Sequence, residues 1–276
     1  MQHRTAWAML TAGLLIGSTA DAAMVTLPED PRSGHRLDVG IDYENTLRRT
    51  LGSIDSSSEN GIKRYYAAYA RIQYAAHPLL NAYARIGSGK VKHRLEDLFL
   101  SKIGQRDLLF ESDQALAWGG GLTGGVPLPW DFKVGYDVAY HTLKGDVERV
   151  IHANRDPGDP LVGFSRAGSN VSGSLRWQEY QAAAWIAHPI ELDQAKLIPY
   201  LGAKWSRLTL NDDNVQYNVT DAGSTQTVLV DKTSHNSTQW GAVLGLRLVY
   251  DKRLVVVVEG HEGDDESVIG SVHWLF

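Results

Sequence analysis

The chain has 276 residues, a formal charge of −5 and no cysteine, which excludes a disulfide framework and lipid attachment at an N-terminal cysteine. It carries no polybasic segment, so no nucleic acid is expected as a partner. No stretch reaches the roughly 18 consecutive apolar residues of a transmembrane helix, a test that β-barrels escape because half of their strand residues face lipid and half a polar lumen.

Residues 1–22 read as a secretory signal peptide. Arg4 supplies the positive start, 6–17 is a short apolar stretch, and Ala20-Asp21-Ala22 is a small-x-small cleavage site. Residues 23–36, with Pro28, Pro31 and Gly34, read as a periplasmic N-terminal leader. From Leu37 to the end the chain alternates in runs of about 10 residues, separated by turn-rich stretches.

The first run sets Leu37, Val39, Ile41 and Tyr43 against Asp38, Gly40, Asp42 and Glu44. The second sets Tyr66, Ala68, Ala70, Ile72 and Tyr74 against Tyr65, Ala67, Tyr69, Arg71 and Gln73. After His77-Pro78, Leu80, Ala82, Ala84 and Ile86 oppose Asn81, Tyr83 and Arg85. A charged stretch over 90–112 leads to a Gly-rich fourth run with Leu116, Trp118 and Leu122 on one side. The fifth alternates Phe132, Val134, Tyr136, Val138 and Tyr140 with Lys133, Gly135, Asp137, Ala139 and His141. Beyond a loop over 144–173, the sixth places Tyr180, Ala182, Ala184 and Ile186 opposite Glu179, Gln181, Ala183 and Trp185. The seventh places Leu197, Leu201, Ala203 and Trp205 opposite Tyr200, Gly202, Lys204 and Ser206. A polar segment over 211–236 precedes the eighth, where Trp240, Leu244, Leu246, Leu248 and Tyr250 oppose Gly241, Val243, Gly245 and Arg247. The ninth spans 254–261. The tenth alternates Val268, Gly270, Val272, Trp274 and Phe276 with Ile269, Ser271, His273 and Leu275.

Long connections follow runs one, three, five and seven, and short ones follow runs two, four, six and eight. Only the last hairpin is short on the long side. An even count puts both ends on one side of a membrane. The fold expected is therefore all-β: a transmembrane antiparallel up-and-down β-barrel over 37–276 with about ten strands. Eight would result if the Gly-rich run joined a loop. Twelve would result if 90–110 or 215–230 hid a hairpin, although the latter could instead extend strands above the membrane.

The terminal Phe276, the aromatic Trp274 two residues earlier and the period of two resemble the closing strand of Gram-negative outer-membrane β-barrels. That resemblance implies export, periplasmic chaperones, and insertion by the barrel-assembly machinery into outer-membrane lipid. Gly270, Val272, Trp274 and Phe276 would form the assembly signal. On the lipid face, Tyr66, Tyr74, Trp240 and Tyr250 bracket apolar bands as an aromatic girdle. The opposite faces collect Asp38, Asp42, Arg71, Arg85, Lys133, Asp137, Glu179, Lys204, Arg247 and Glu259. Charges of both signs inside a narrow barrel are costly unless paired, so these residues are assigned to a luminal polar network that fills the middle.

No catalytic residues, metal ligands or cofactor are assigned. The acid/histidine groupings Glu259-Gly260-His261 and Asp137 with His141 do not align with the motifs of omptin-type barrel proteases. No Ser/His/Glu triad of the lipid A deacylase type is found on the apolar face. His77-Pro78 and His188-Pro189 are turn histidines, and the acidic stretch at 263–266 reads as a solvated turn. The reading is a barrel with a largely filled lumen, whose long loops meet a surface ligand or stabilise the envelope. A small porin or solute channel is the alternative, and an outer-membrane barrel enzyme the third.

Overall fold

The computed structural model describes residues 36–51, 61–77, 79–100, 104–154, 165–221, 224–236, 239–263 and 266–276. The segment expected to be a signal peptide (1–22), and all of the expected leader except Arg36, lie outside the described residues. Fourteen strands are present among those residues: β1 (Leu37–Thr50), β2 (Gly61–His77), β3 (Leu80–Leu100), β4 (Gly104–Ser112), β5 (Ala115–Pro127), β6 (Lys133–Asn154) and β7 (Ser165–Ala167). They continue with β8 (Ser169–Ala187), β9 (Ile190–Glu191), β10 (Ala195–Asp221), β11 (Ser224–His235), β12 (Trp240–Tyr250), β13 (Leu254–Glu262) and β14 (Glu266–Leu275).

Ten of them close a ring. The order is β1-β2-β3-β5-β6-β8-β10-β12-β13-β14, and β14 returns to β1 from Asp38↔Leu275 to Arg48↔Glu266; every pair is antiparallel. Closure removes the sheet edges that lipid could not hydrogen-bond. The ends join through the backbone, where Phe276 N–H donates to the Leu37 carbonyl at 2.8 Å and Arg36 N–H to the Phe276 carbonyl at 3.0 Å.

The stagger of the ring follows from the register. From Lys133 the partners run through Ala187, Tyr200, Gly245, Glu259, Ile269, Glu44, Ala67, Gly89 and Ala115. One step beyond the Leu116↔Lys144 pair this path returns to β6 at Gly145, and 145 − 133 gives a shear of 12. With ten strands, that shear tilts the strands by about 40°.

The remaining four strands stay outside the ring. β4 pairs with the far ends of β3 and β6, and β11 with the far end of β10. β7 pairs with the end of β6, and β9 lies in the turn between β8 and β10. The stretches 90–110 and 215–230 thus do contain hairpins. They raise the wall on the long-loop side without adding strands to the ring. Much of what reads as loop in 90–112, 144–173 and 211–236 is strand, because above an apolar band alternation no longer separates apolar from polar.

Bulges also disturb the pattern there. Inward residues of β1 are even-numbered up to Glu44; after a register shift between Thr46 and Arg48, Arg49 and Leu51 are the buried ones. On β10 the shift between Asp212 and Val215, with Asn214 at φ 52°, transfers burial to Val215, Tyr217 and Val219.

The outer face is apolar. Ile41, Ile72, Ile86, Val138, Leu201, Leu244 and Val272 project from it, and Leu244 is 69 % exposed. The inside is packed. A hydrophobic cluster on the long-loop side joins Leu51, Tyr65, Val91, Phe110, Trp177, Leu208 and Tyr217 with residues of β11. A second cluster, including Trp185, Tyr200, Val243, Val257 and Leu275, fills the short-turn half against β8 to β14. A polar belt lies alongside and between them.

Candidate functional site: the luminal polar belt

The belt is a set of linked ion pairs. At the β14-β1-β2 junction His273 bridges two carboxylates, with Nδ1 3.1 Å from Asp38 and Nε2 3.0 Å from Asp42. Arg71 also contacts the His273 ring and lies 3.4 Å from Asp38 and 3.8 Å from Asp42. Gly40, opposite His273, makes room for the ring, because a Cβ there would sit 2.6 Å from it.

Two strands away, Arg85 pairs with Glu44 through Nη1, donates from Nε to His141 at 2.8 Å and covers the Tyr69 ring at 4.2 Å. On the other wall Lys204 lies 3.3 Å from His261 Nδ1; His261 Nε2 is 2.5 Å from Glu259, which accepts the Tyr200 hydroxyl at 2.5 Å. Asp137 accepts the Tyr83 hydroxyl at 3.3 Å.

Polar contacts also cross the lumen. Arg49 of β1 donates to Glu179 of β8 at 2.8 Å and also to Ser206 of β10. β1 and β8 stand five places apart in a ring of ten, hence on opposite walls. Nearer the long loops, His93 of β3 meets Asp212 of β10 at 3.1 Å and stacks on Phe110. Such bonds brace opposite walls and occupy the bore.

Of the residues assigned to this network, Asp38, Asp42, Arg71, Arg85, Asp137, Glu179, Lys204, Arg247 and Glu259 are buried inside the ring. Lys133 is not; it is half-buried at the short-turn end of β6. Among the other ionisable groups of the belt none exceeds the 6 % exposure of His261. Arg49 escapes the sequence reading because the bulge before it inverts the alternation. His141, weighed there only as a partner for Asp137, is held by Arg85, and Asp137 turns to Tyr83. Glu259 and His261 do meet, across one intervening residue of β13.

Carboxylate–histidine contacts of this kind could activate water. Here each is closed off from solvent; those at His273 and His261 are also tied to an arginine, lysine or tyrosine, and His93 is covered by Phe110. Among the described residues, no group of three or more His, Cys, Asp or Glu side chains has metal-binding geometry.

On the outer face, Tyr74, Tyr250, Trp274 and Phe276 are exposed near the short turns, and Trp240, with half-buried Tyr66, near the long loops. Val272, Trp274 and Phe276 all project outward from the closing strand, while Gly270 faces the same way.

Comparison with known proteins agrees with this architecture. Residues 140–252, from β6 to the turn after β12, match the family model described as Chlamydia major outer membrane protein. No curated protein sequence matches the chain. Among solved structures, it is similar to the outer membrane protease OmpT from Escherichia coli, at 8 % identity and a TM-score of 0.50, covering 92 % of this chain and 99 % of that one. The translocator domain of the autotransporter NalP from Neisseria meningitidis aligns at 12 % identity and a TM-score of 0.43, over 100 % of this chain and 95 % of that one. The chain has the fold of the outer-membrane β-barrels; at these identities the likeness concerns the fold alone.

Proposed function

We propose that this chain is an outer-membrane barrel with a closed bore, and that it works through its long-loop surface. It would be exported by its signal peptide and delivered to outer-membrane lipid by periplasmic chaperones and the barrel-assembly machinery. The observation that carries this reading is the filling of the lumen: an ion pair and a histidine–carboxylate contact span it wall to wall, and a hydrophobic cluster closes the long-loop side. Conduction needs a continuous polar path with sites weak enough to leave. Buried polar side chains bonded to one another at 2.5–3.3 Å oppose that. A catalytic role would need a reacting group in contact with solvent, and the acid/histidine pairs are sealed.

What remains for function is the raised wall built by β4, β7 and β11 with the long connections. It meets a surface ligand or stabilises the envelope. Purified protein in a planar bilayer should be electrically silent, and steady single-channel conductance would replace this reading with the small porin. Membrane fractionation tests the location separately: the protein should sediment with outer membranes and resist high salt.

A further inference from the structure

Every strand of the ring has a neighbour on both sides, and β4 lies between β3 and β6. β11 differs. It pairs with β10 from Thr209↔His235 to Asp221↔Ser224, and among the described residues no strand pairs with its other edge; the single bridge Leu51↔Asn236 lies just past its lower end. β7 and β9, with three and two residues, are too short to offer such an edge, but β11 has 12 residues. An unpaired edge presents a row of N–H and C=O groups that another chain can bond. Proteins usually blunt it with proline, a bulge or charge. From Ser224 to Val230, β11 carries no proline, no glycine and no charge, and the extra residue of the bulge opposite belongs to β10.

The side chains along this edge carry a second sign. Val228, Val230 and Ser234 are buried inward, so the odd-numbered residues face out. Among them Leu229 is 57 % exposed. Every other large apolar side chain exposed among the described residues stands on a ring strand or in a short turn. Lipid covers those, but it does not reach Leu229. Its cross-strand partner Gln216 lies roughly 35 Å along β10 beyond Trp205, which pairs with the girdle residue Trp240.

Two residues along, on the same face, is Asp231. It lines a cleft of about 730 Å³ together with Asp213 and Asp146, the two cross-strand partners of Ser174. Lys144 is the one cation on that lining, so the cleft is net negative. Lys232 faces the other way and is paired across the sheet with Asp212. The outward face of the edge therefore offers an apolar contact and, two residues away, an acidic one.

We infer that the open edge of β11 takes an extended segment of another extracellular protein as an added strand, with an apolar side chain beside Leu229 and a basic one beside Asp231. Main-chain hydrogen bonds supply the affinity of such a contact, and alternate side chains its specificity. A second copy of this chain does not fit. Copies in one membrane are related by rotation about its normal, which keeps β11 pointing down in both, whereas an edge that pairs with its own copy must run antiparallel. The inference deepens the reading that the long-loop surface meets a ligand. It is tested on purified protein, whereas conductance and fractionation test that reading.

The probe is a dye-labelled heptapeptide of threonine and valine, with arginine and leucine at its third and fifth positions or in the reverse order, for the two directions of pairing. Fluorescence anisotropy with the folded protein in micelles should show binding of one of them below about 1 mM. Methylating the alternate backbone nitrogens that face β11 should abolish it, and methylating the other set should not. That contrast is read on the wild type and needs no variant to fold. Leu229→Ser and Asp231→Lys should each weaken binding about ten-fold, and Lys90→Gln, whose lysine already meets Glu111 and Glu148, should leave it unchanged. No binding by the wild type, equal effects of the two methylated sets, or unchanged affinity in both Leu229→Ser and Asp231→Lys overturns the inference. Binding that appears only when residues 52–60 are replaced by a glycine-serine linker also overturns it, because the chain's own connection then holds the edge.

Discussion

At the scale of residues, the interior is governed by the cost of an unpaired charge. Arg49 and Glu179 are 1 % and 3 % exposed and meet at 2.8 Å across the bore. Removing one partner strands the other in a medium that solvates it poorly, a penalty of about 3–5 kcal/mol for a buried pair. Arg49→Leu and Glu179→Leu should each destabilise the barrel by about that much. The double variant should cost distinctly less than their sum, because no isolated ion remains. Urea unfolding from lipid vesicles, followed by tryptophan fluorescence, measures the cycle, and additive losses would show that the strut carries no coupling. The outer face obeys the opposite rule. Leu246→Arg places a cation on the lipid face and should cost about 2–4 kcal/mol near the bilayer midplane. Thr233→Arg, at an exposed position of β11 in the raised wall, should be nearly neutral. Equal folding yields for the two would invert the assignment of faces.

At the scale of elements, β14 has two roles. It pairs with β13 on one side and with β1 on the other, so it closes the ring. Phe276, which follows it, adds backbone bonds to Leu37 and Arg36, while its side chain is 60 % exposed on the outer face. Packing inside the folded protein therefore gives little reason for an aromatic there. Deleting Phe276 should lower the amount of assembled protein in cells far more than it lowers the stability of protein refolded in vesicles. Comparable effects in both assays would reduce its role to ordinary packing. The elements above the ring show a division of labour. Bulges on β1, β3 and β10 end strict alternation, and beyond them the hairpins bury Leu108, Phe110, Val228 and Val230 against one another.

For the molecule as a whole, the ring sets the long connections after β1, β3, β6 and β10 and the short β13–β14 turn on one side, and the turns after β2, β5, β8 and β12 with the C-terminus on the other. Raised walls and long loops suit the cell exterior; tight turns suit the periplasm. A Ser169→Cys variant, exposed at the start of β8, should react with an impermeant maleimide in intact cells. Lys252→Cys, in the turn between β12 and β13 where φ is 57°, should react only after lysis. Labelling of Lys252→Cys in intact cells would turn the barrel over and move the raised wall to the periplasmic side.

Alternation with period two and the sorting of connections by length pointed to the all-β class, to about ten strands with eight and twelve left open, and to the face of the band residues. A lipid-facing surface and a packed interior impose opposite polarity on neighbouring residues, and that contrast is written along each strand from Leu37 to Phe276. The content of the bore was legible as residue types, from Asp38 to Glu259, and not as pairs. Which acid meets which base depends on the shear of 12, which brings Arg49 opposite Glu179 and Arg85 between Glu44 and His141. Nothing local encodes that stagger. The raised wall was likewise hidden, because above the lipid both faces of a strand are free to be polar, and a single bulge reverses every side chain after it. Only the closed tertiary structure sets distant strands side by side, as it sets Arg49 of β1 across the bore from Glu179 of β8, because closure joins the first strand to the last.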